Sequence, residues 1–113
     1  MKLTWQKCLG NKWCSLLRLN LSHDHFDGLA GVYIIWQDGG LIIRVGQGEI
    51  RGRISKHRSD KQITAYNNLL VTWARVSSWE RGGVERFLAE KLNPVIGSKF
   101  PDVLPIPVNL PSN

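Results

Sequence analysis

Apolar residues fall into segments with two different periods, and breaks rich in glycine or polar residues separate them. Gly31-Val32-Tyr33-Ile34-Ile35-Trp36 is β-branched and aromatic, and Leu41-Ile42-Ile43-Arg44-Val45 is again β-prone. Asp38-Gly39-Gly40 between them supplies turn chemistry, so the two runs predict a β-hairpin. Gly46-Gln47-Gly48 is expected to break the second strand. Beyond it Ile50 and Ile54 recur at helical spacing, which predicts a short basic helix over residues 49–57.

Residues 58–68 are polar and read as a loop or a helical turn. Leu69 to Val76 reads as a further strand of largely buried type, so the sheet has at least three strands. Ser77 and Ser78 are candidate caps for a helix whose apolar stripe is Val84, Phe87, Leu88 and Leu92 and which stops before Pro94. Gly82-Gly83 weakens its first turn, so a late start is expected. Residues 1–30 alternate only over Leu17, Leu19 and Leu21 and read as a packed extension with a short strand or turn of helix. Residues 98–113 form a proline-rich tail, expected as an extended strap on the surface. The resulting organisation is a single domain, 1–113, with a core over 31–97, and no internal repeat.

Composition narrows this picture. The 113 residues carry a net charge of +6, with 42% hydrophobic and 21% charged residues, as in ordinary globular proteins. Arg44, Arg51, Arg53, Lys56, Arg58 and Lys61 crowd into eighteen positions that hold only Glu49 and Asp60 as acids. Such a face suits a polyanion, nucleic acid above all, although a solvated basic surface has the same composition. Cys8 and Cys14 match neither a paired zinc module nor a redox motif and read as reduced, part-buried thiols. No apolar leader follows a basic start and no run reaches the roughly 18 apolar residues of a membrane helix, so a cytoplasmic protein without a membrane partner is expected.

Four reactive side chains fall on different elements of this layout. Tyr33 is in the first strand, Arg53 and His57 lie four apart on the basic helix, and Glu85 sits beside the apolar stripe of the last helix. Each has an ordinary reading alone: a core aromatic, two residues of a solvated helix, an exposed glutamate. His23-Asp24-His25 with Asp27 lacks the paired spacing of structural metal sites and reads as a polar loop. Trp5, Trp36 and Trp73 lie in apolar runs and read as core, whereas Trp79 does not.

In combination, Gly31-Val32-Tyr33, Arg44-Val45-Gly46, Arg53-Ile54 with His57, and Glu85, Leu88, Lys91-Leu92 and Pro94 resemble the GIY-YIG nuclease family, and in particular a small stand-alone bacterial-type member. The resemblance spans Gly31 to about Gly97, nearly 60% of the chain. It implies an α/β fold of the α+β kind, a small three-stranded antiparallel sheet flanked by helices. It also implies hydrolysis of DNA phosphodiester bonds with one divalent cation, Mg²⁺ or Mn²⁺. Glu85 matches the metal-holding position and Arg53 the catalytic arginine. Tyr33 matches the tyrosine of the first motif, as general base or water-orienting group, and His57 a helix position that assists proton movement or binds phosphate. Arg44, Gln47, Arg51, Lys56 and Arg58 are expected to hold the nucleic-acid backbone.

The sequence departs from the family pattern in three places. Arg44 stands where the second motif has its tyrosine, Gln47 where many members have lysine, and Gly97 where an asparagine is usual. An arginine is a permanent cation and removes a possible proton carrier, but could lower the pKa of Tyr33 across the hairpin. A catalytically inactive nucleic-acid-binding module of the same fold is therefore the alternative. A domain this small has little surface for reading a long sequence, so a dimer or a partner protein is a natural source of specificity.

Overall fold

The computed structural model describes residues 1–112, and one antiparallel sheet organises them. The strands are β1 (Cys14–Ser15), β2 (Ala30–Gln37), β3 (Ile42–Glu49) and β4 (Leu69–Arg75), in the spatial order β1-β4-β2-β3. The helices are α1 (Ile50–Arg58), α2 (Lys61–Thr64) and α3 (Arg81–Leu92). The hairpin, the basic helix, the buried strand and the last helix thus lie where the hydrophobic pattern puts them. A fourth strand corrects the three-stranded expectation: β1 is only two residues long, pairs Cys14 with Val71 and Ser15 with Leu70, and leaves no periodic trace.

Both faces of β2 are covered, which is why its sequence is an almost continuous apolar run rather than an alternating one. On one face Tyr33 and Ile35 pack with Ile50, Ile54 and Ile63 from α1 and α2, and with Leu16, Phe26 and Leu29 from the N-terminal extension. On the other, Val32, Ile34 and Val45 pack with Val84 and Leu88 of α3, and with Leu3 and Val108 from the two ends of the chain. Trp73 is buried, while Trp5 and Trp36 are half-buried against the second cluster.

Gly46-Gln47-Gly48 does not break β3, contrary to expectation. The strand runs through it, pairing Gly46 with Tyr33 and Gly48 with Gly31. The glycines serve packing instead. A Cβ at Gly46 would overlap the Tyr33 hydroxyl, and one at Gly31 would overlap the Ala74 carbonyl of the neighbouring strand.

α3 begins at Arg81, earlier than its glycine pair suggests, with Glu80 rather than a serine at its N-cap. The reason is again contact: a Cβ at Gly83 would lie 2.6 Å from Ile106 Cγ1 and 2.8 Å from the Leu104 carbonyl oxygen, so the helix keeps glycine where the tail crosses it. Residues 98–112 of that tail form neither helix nor strand. Ile106 N–H donates to Gly83 O, and Asn109 bonds Leu3 in both directions, tying the two ends of the chain together.

The cysteines also differ from expectation. Cys8 and Cys14 are joined in a disulfide, with Cα atoms 5.2 Å apart, because the 3-10 turn Leu9–Asn11 and the Cys8–Lys12 bridge fold the intervening residues back. They therefore offer no support for a reducing compartment. Among the described residues no helix is long and apolar enough to cross a membrane.

Candidate functional site

Three elements converge at the N-terminal end of α3. β3 contributes Arg44 and Gln47, α1 contributes Arg53, and α3 contributes Glu85. With Gly48, Glu49, Lys99 and Pro101 these residues line an open cleft of about 620 Å³. Gln47 Nε2 donates to Glu85 Oε1 at 2.8 Å, and Arg53 Nε donates to the Gln47 carbonyl at 3.0 Å. Gln47 is thus the joint of the cleft: its side chain orients the carboxylate and its backbone orients the guanidinium. Gly48 makes this possible, since its φ of 132° suits glycine and the Arg53 side chain packs directly on it.

Tyr33 and His57 do not line the cleft. Both are buried, and the Tyr33 hydroxyl lies 2.6 Å from His57 Nε2. The charges of Arg44 and Arg53 bear on both residues, which places the pair beside the cleft's cationic side. Burial, then Arg44 and Arg53, hold the His57 pKa down from 6.5 to about 4, so the imidazole is neutral at pH 7. Burial raises the Tyr33 pKa above its ordinary value, and the two arginines only partly offset this. The expected lowering of the Tyr33 pKa by Arg44 is present, but desolvation outweighs it. A neutral phenol and a neutral imidazole share one hydrogen in this bond, with Nε2 as the acceptor when the imidazole carries its own hydrogen on Nδ1. This leaves Nδ1 of His57 buried without a hydrogen-bond partner.

Arg44 takes up the space beside this pair. Its guanidinium lies 3.7 Å from where a Cβ on Gly97 would stand, and its Nε is buried without a partner. The segment after α3 is placed there by Asn93, whose left-handed backbone ends the helix, and by bonds from Val95 and Ile96 to the carbonyls of Ile42 and Ile43. Glu85 is half-buried, and its pKa is raised, chiefly by burial, with Gln47, Arg53 and Arg44 opposing the shift.

The basic helix divides into two functions. Arg51 donates to the carbonyls of Leu21 and His23 and to Asp27, and Arg58 donates to the carbonyls of Leu16 and Leu19. These two arginines clasp the N-terminal extension and face away from the cleft, so they are not brought together with Arg44, Gln47 and Arg53. Lys56 is exposed on the same helix but is not a cleft residue. Lys99 is one, and sequence reasoning missed it because an extended strap has no periodicity from which to infer a register.

Among the described residues no three His, Cys, Asp or Glu side chains group to hold a metal. His23 caps the turn Asp24–Phe26, Asp27 pairs with Arg51, and His25 Nε2 accepts from the Trp73 indole at 3.1 Å. The two carboxylates of the cleft are Glu85 and Glu49, and Glu49 is engaged as the N-cap of α1, accepting from Gly52 N–H. No family model, no curated protein and no solved structure matches the chain.

Proposed function

We propose that this chain is a divalent-metal-dependent endonuclease acting on DNA, of the GIY-YIG type that its motifs resemble. One observation carries the reading: Arg53 and Glu85, far apart in sequence and on different helices, line one open cationic cleft and are joined through Gln47. A cleft with Arg44, Arg53 and Lys99 around one half-buried carboxylate has the charge pattern that a phosphodiester and a cation fill together.

A single Mg²⁺ or Mn²⁺ fits this donor set in a limited way. Magnesium keeps several waters and is commonly held by one or two carboxylates plus phosphate oxygens, so Glu85 alone suffices on the protein side. A bound ion supplies Lewis-acid charge to the phosphate. Arg53 then neutralises charge gathering on the phosphate oxygens, and Arg44 and Lys99 hold the backbone. Tyr33 could take a proton at its phenolic oxygen only by passing its own to His57 Nε2, and an imidazole whose pKa is held at about 4 is a weak acceptor for it. The buried position of Tyr33 and His57 favours a second reading, a nucleic-acid-binding module without turnover, since neither residue lines the cleft that would hold the reacting phosphate.

Incubation with supercoiled plasmid under Mg²⁺ or Mn²⁺ decides between them. Nicking or cutting that is lost in Glu85→Ala and Arg53→Ala, with both variants folded by circular dichroism, is the expected result. Metal-independent, salt-sensitive binding with no cleavage under either ion would establish the binding module instead.

A further inference from the structure

Trp79 stands apart from the other tryptophans. It occupies the turn Ser78–Glu80 before α3 and is 84% exposed, where a large apolar side chain loses the benefit of burial. It is one wall of a groove of about 370 Å³ whose other walls include Pro101, Val103 and Leu104, the last 88% exposed. Gly82 leaves the floor bare: a Cβ there would stand 3.5 Å from Pro101 Cβ and 3.6 Å from Val103 Cγ2, narrowing the groove between helix and strap. Gln47 and Pro101 line both this groove and the cationic cleft, so the two adjoin, and Gln47 is the residue that bonds Glu85.

We infer that Trp79 is a stacking platform for an unpaired base of the strand whose phosphate occupies the cleft, so that the preferred substrate carries single-stranded nucleotides beside the point of attack. The inference rests on the cleft taking a polynucleotide. An apolar wall with an exposed indole joined to a cationic cleft is the combination that binds single strands, in which charge tracks the backbone and the aromatic face receives a base of any identity. A continuous duplex cannot use it, because its bases are stacked on one another. A bare hydrophobic partner would use the groove but would gain nothing from Arg44, Arg53 and Lys99 alongside it.

The test is binding of the full chain, with metal chelated, to three labelled DNAs of one sequence: a continuous duplex, the same duplex with a short single-stranded gap, and the single strand. The gapped and single-stranded DNAs should bind more tightly than the duplex. Trp79→Ala should weaken them about 5- to 150-fold while changing duplex affinity less than about twofold, and Trp79→Phe should keep most of the preference. Equal losses on all three DNAs, or none, overturn the inference. So does loss of self-association in Trp79→Ala by analytical ultracentrifugation without a change in DNA preference, which would assign the groove to a second copy. Trp79-dependent binding without cleavage in Mg²⁺ or Mn²⁺ overturns the nuclease reading alone, and absence of binding to any DNA overturns both.

Discussion

The phenolic oxygen of Tyr33 lies 2.6 Å from Nε2 of His57, a bond that joins the central strand to the basic helix beneath a cationic cleft. Both groups are held in their neutral forms, the imidazole by burial and two arginines and the phenol by burial against those same arginines. The pair is thus a single donor and a single acceptor at neutral pH. The stored quantity is the cost of placing a charge there, and it is measurable.

The first prediction concerns stability against pH. The His57 pKa is 6.5 in an exposed chain and about 4 in the fold, so between these values the unfolded chain binds more protons. Stability should be greatest above pH 6.5 and should fall as pH drops toward 4, by on the order of 3 kcal/mol in all. Urea midpoints between pH 4 and 7 should show this slope, and His57→Gln should flatten it. An equal slope in the variant would assign the acid sensitivity to other groups.

The origin of the His57 shift gives a second prediction. Desolvation is its largest cause and the Arg44 charge the next, ahead of Arg53. Arg44→Met should therefore raise the His57 pKa, and by more than Arg53→Met does. NMR titration of the His57 ring protons in the three proteins measures the order directly. If neither variant moves the titration, the two guanidinium groups are screened from the imidazole and the cleft is not electrostatically coupled to the pair.

Arg44, Gln47, Arg53 and Glu85 of the cleft were legible in the sequence, and the parts that were not have physical reasons. Strand and helix periods place Tyr33, Arg53, His57 and Glu85 on the elements where they lie, because Val32, Ile34, Ile50, Ile54, Val84 and Leu88 must face two separate core layers. Periodicity says nothing about residues whose role is to be small. Gly46 looks like a strand breaker and is instead the gap into which Tyr33 fits, and Gly83 looks like a weak helix start and is where the strap crosses. Charge counting likewise cannot tell an arginine that lines the cleft from one that clasps the N-terminal extension, so Arg51 and Arg58 read like Arg53 until their positions are known. A two-residue edge strand is fixed by its pairing with β4, and the disulfide by a local turn, and neither leaves a periodic pattern in the sequence.

Gly46 provides the third prediction. A methyl group at this position would overlap the end of the Tyr33 ring, which is buried and bonded to His57 and cannot swing clear without breaking that bond. Gly46→Ala should cost about 1–3 kcal/mol in stability, in the range of an overpacked core. Gly31→Ala should cost more, because the obstacle there is the Ala74 carbonyl of the paired strand rather than a side chain. Chemical denaturation of both variants ranks them, and the reverse order would mean that the strands separate more easily than the ring moves.

Glu85 separates function from stability most cleanly. Burial raises its pKa, and Gln47, Arg53 and Arg44 do not fully offset this, so its ionised form is less favoured in the fold than in the unfolded chain. For a carboxyl with a raised folded pKa the contribution to stability is complete below the unfolded value of 4.5 and is lost as pH rises through the folded value. Wherever Glu85 is ionised in the fold, its charge is therefore held at a cost. Glu85→Gln removes that charge while keeping the size of the side chain and an oxygen able to accept from Gln47 Nε2. The variant should melt at the same temperature as the parent or slightly above it at pH 7, and the difference should disappear below pH 4.5. Cleavage should be lost in the same variant, because a neutral amide is a poor ligand for a hard divalent cation. A parent more stable than Glu85→Gln would mean that the carboxylate is kept for its bonds to the cleft and not for a ligand. Such a residue belongs to the scaffold, and the cleft would then need another group to hold a metal.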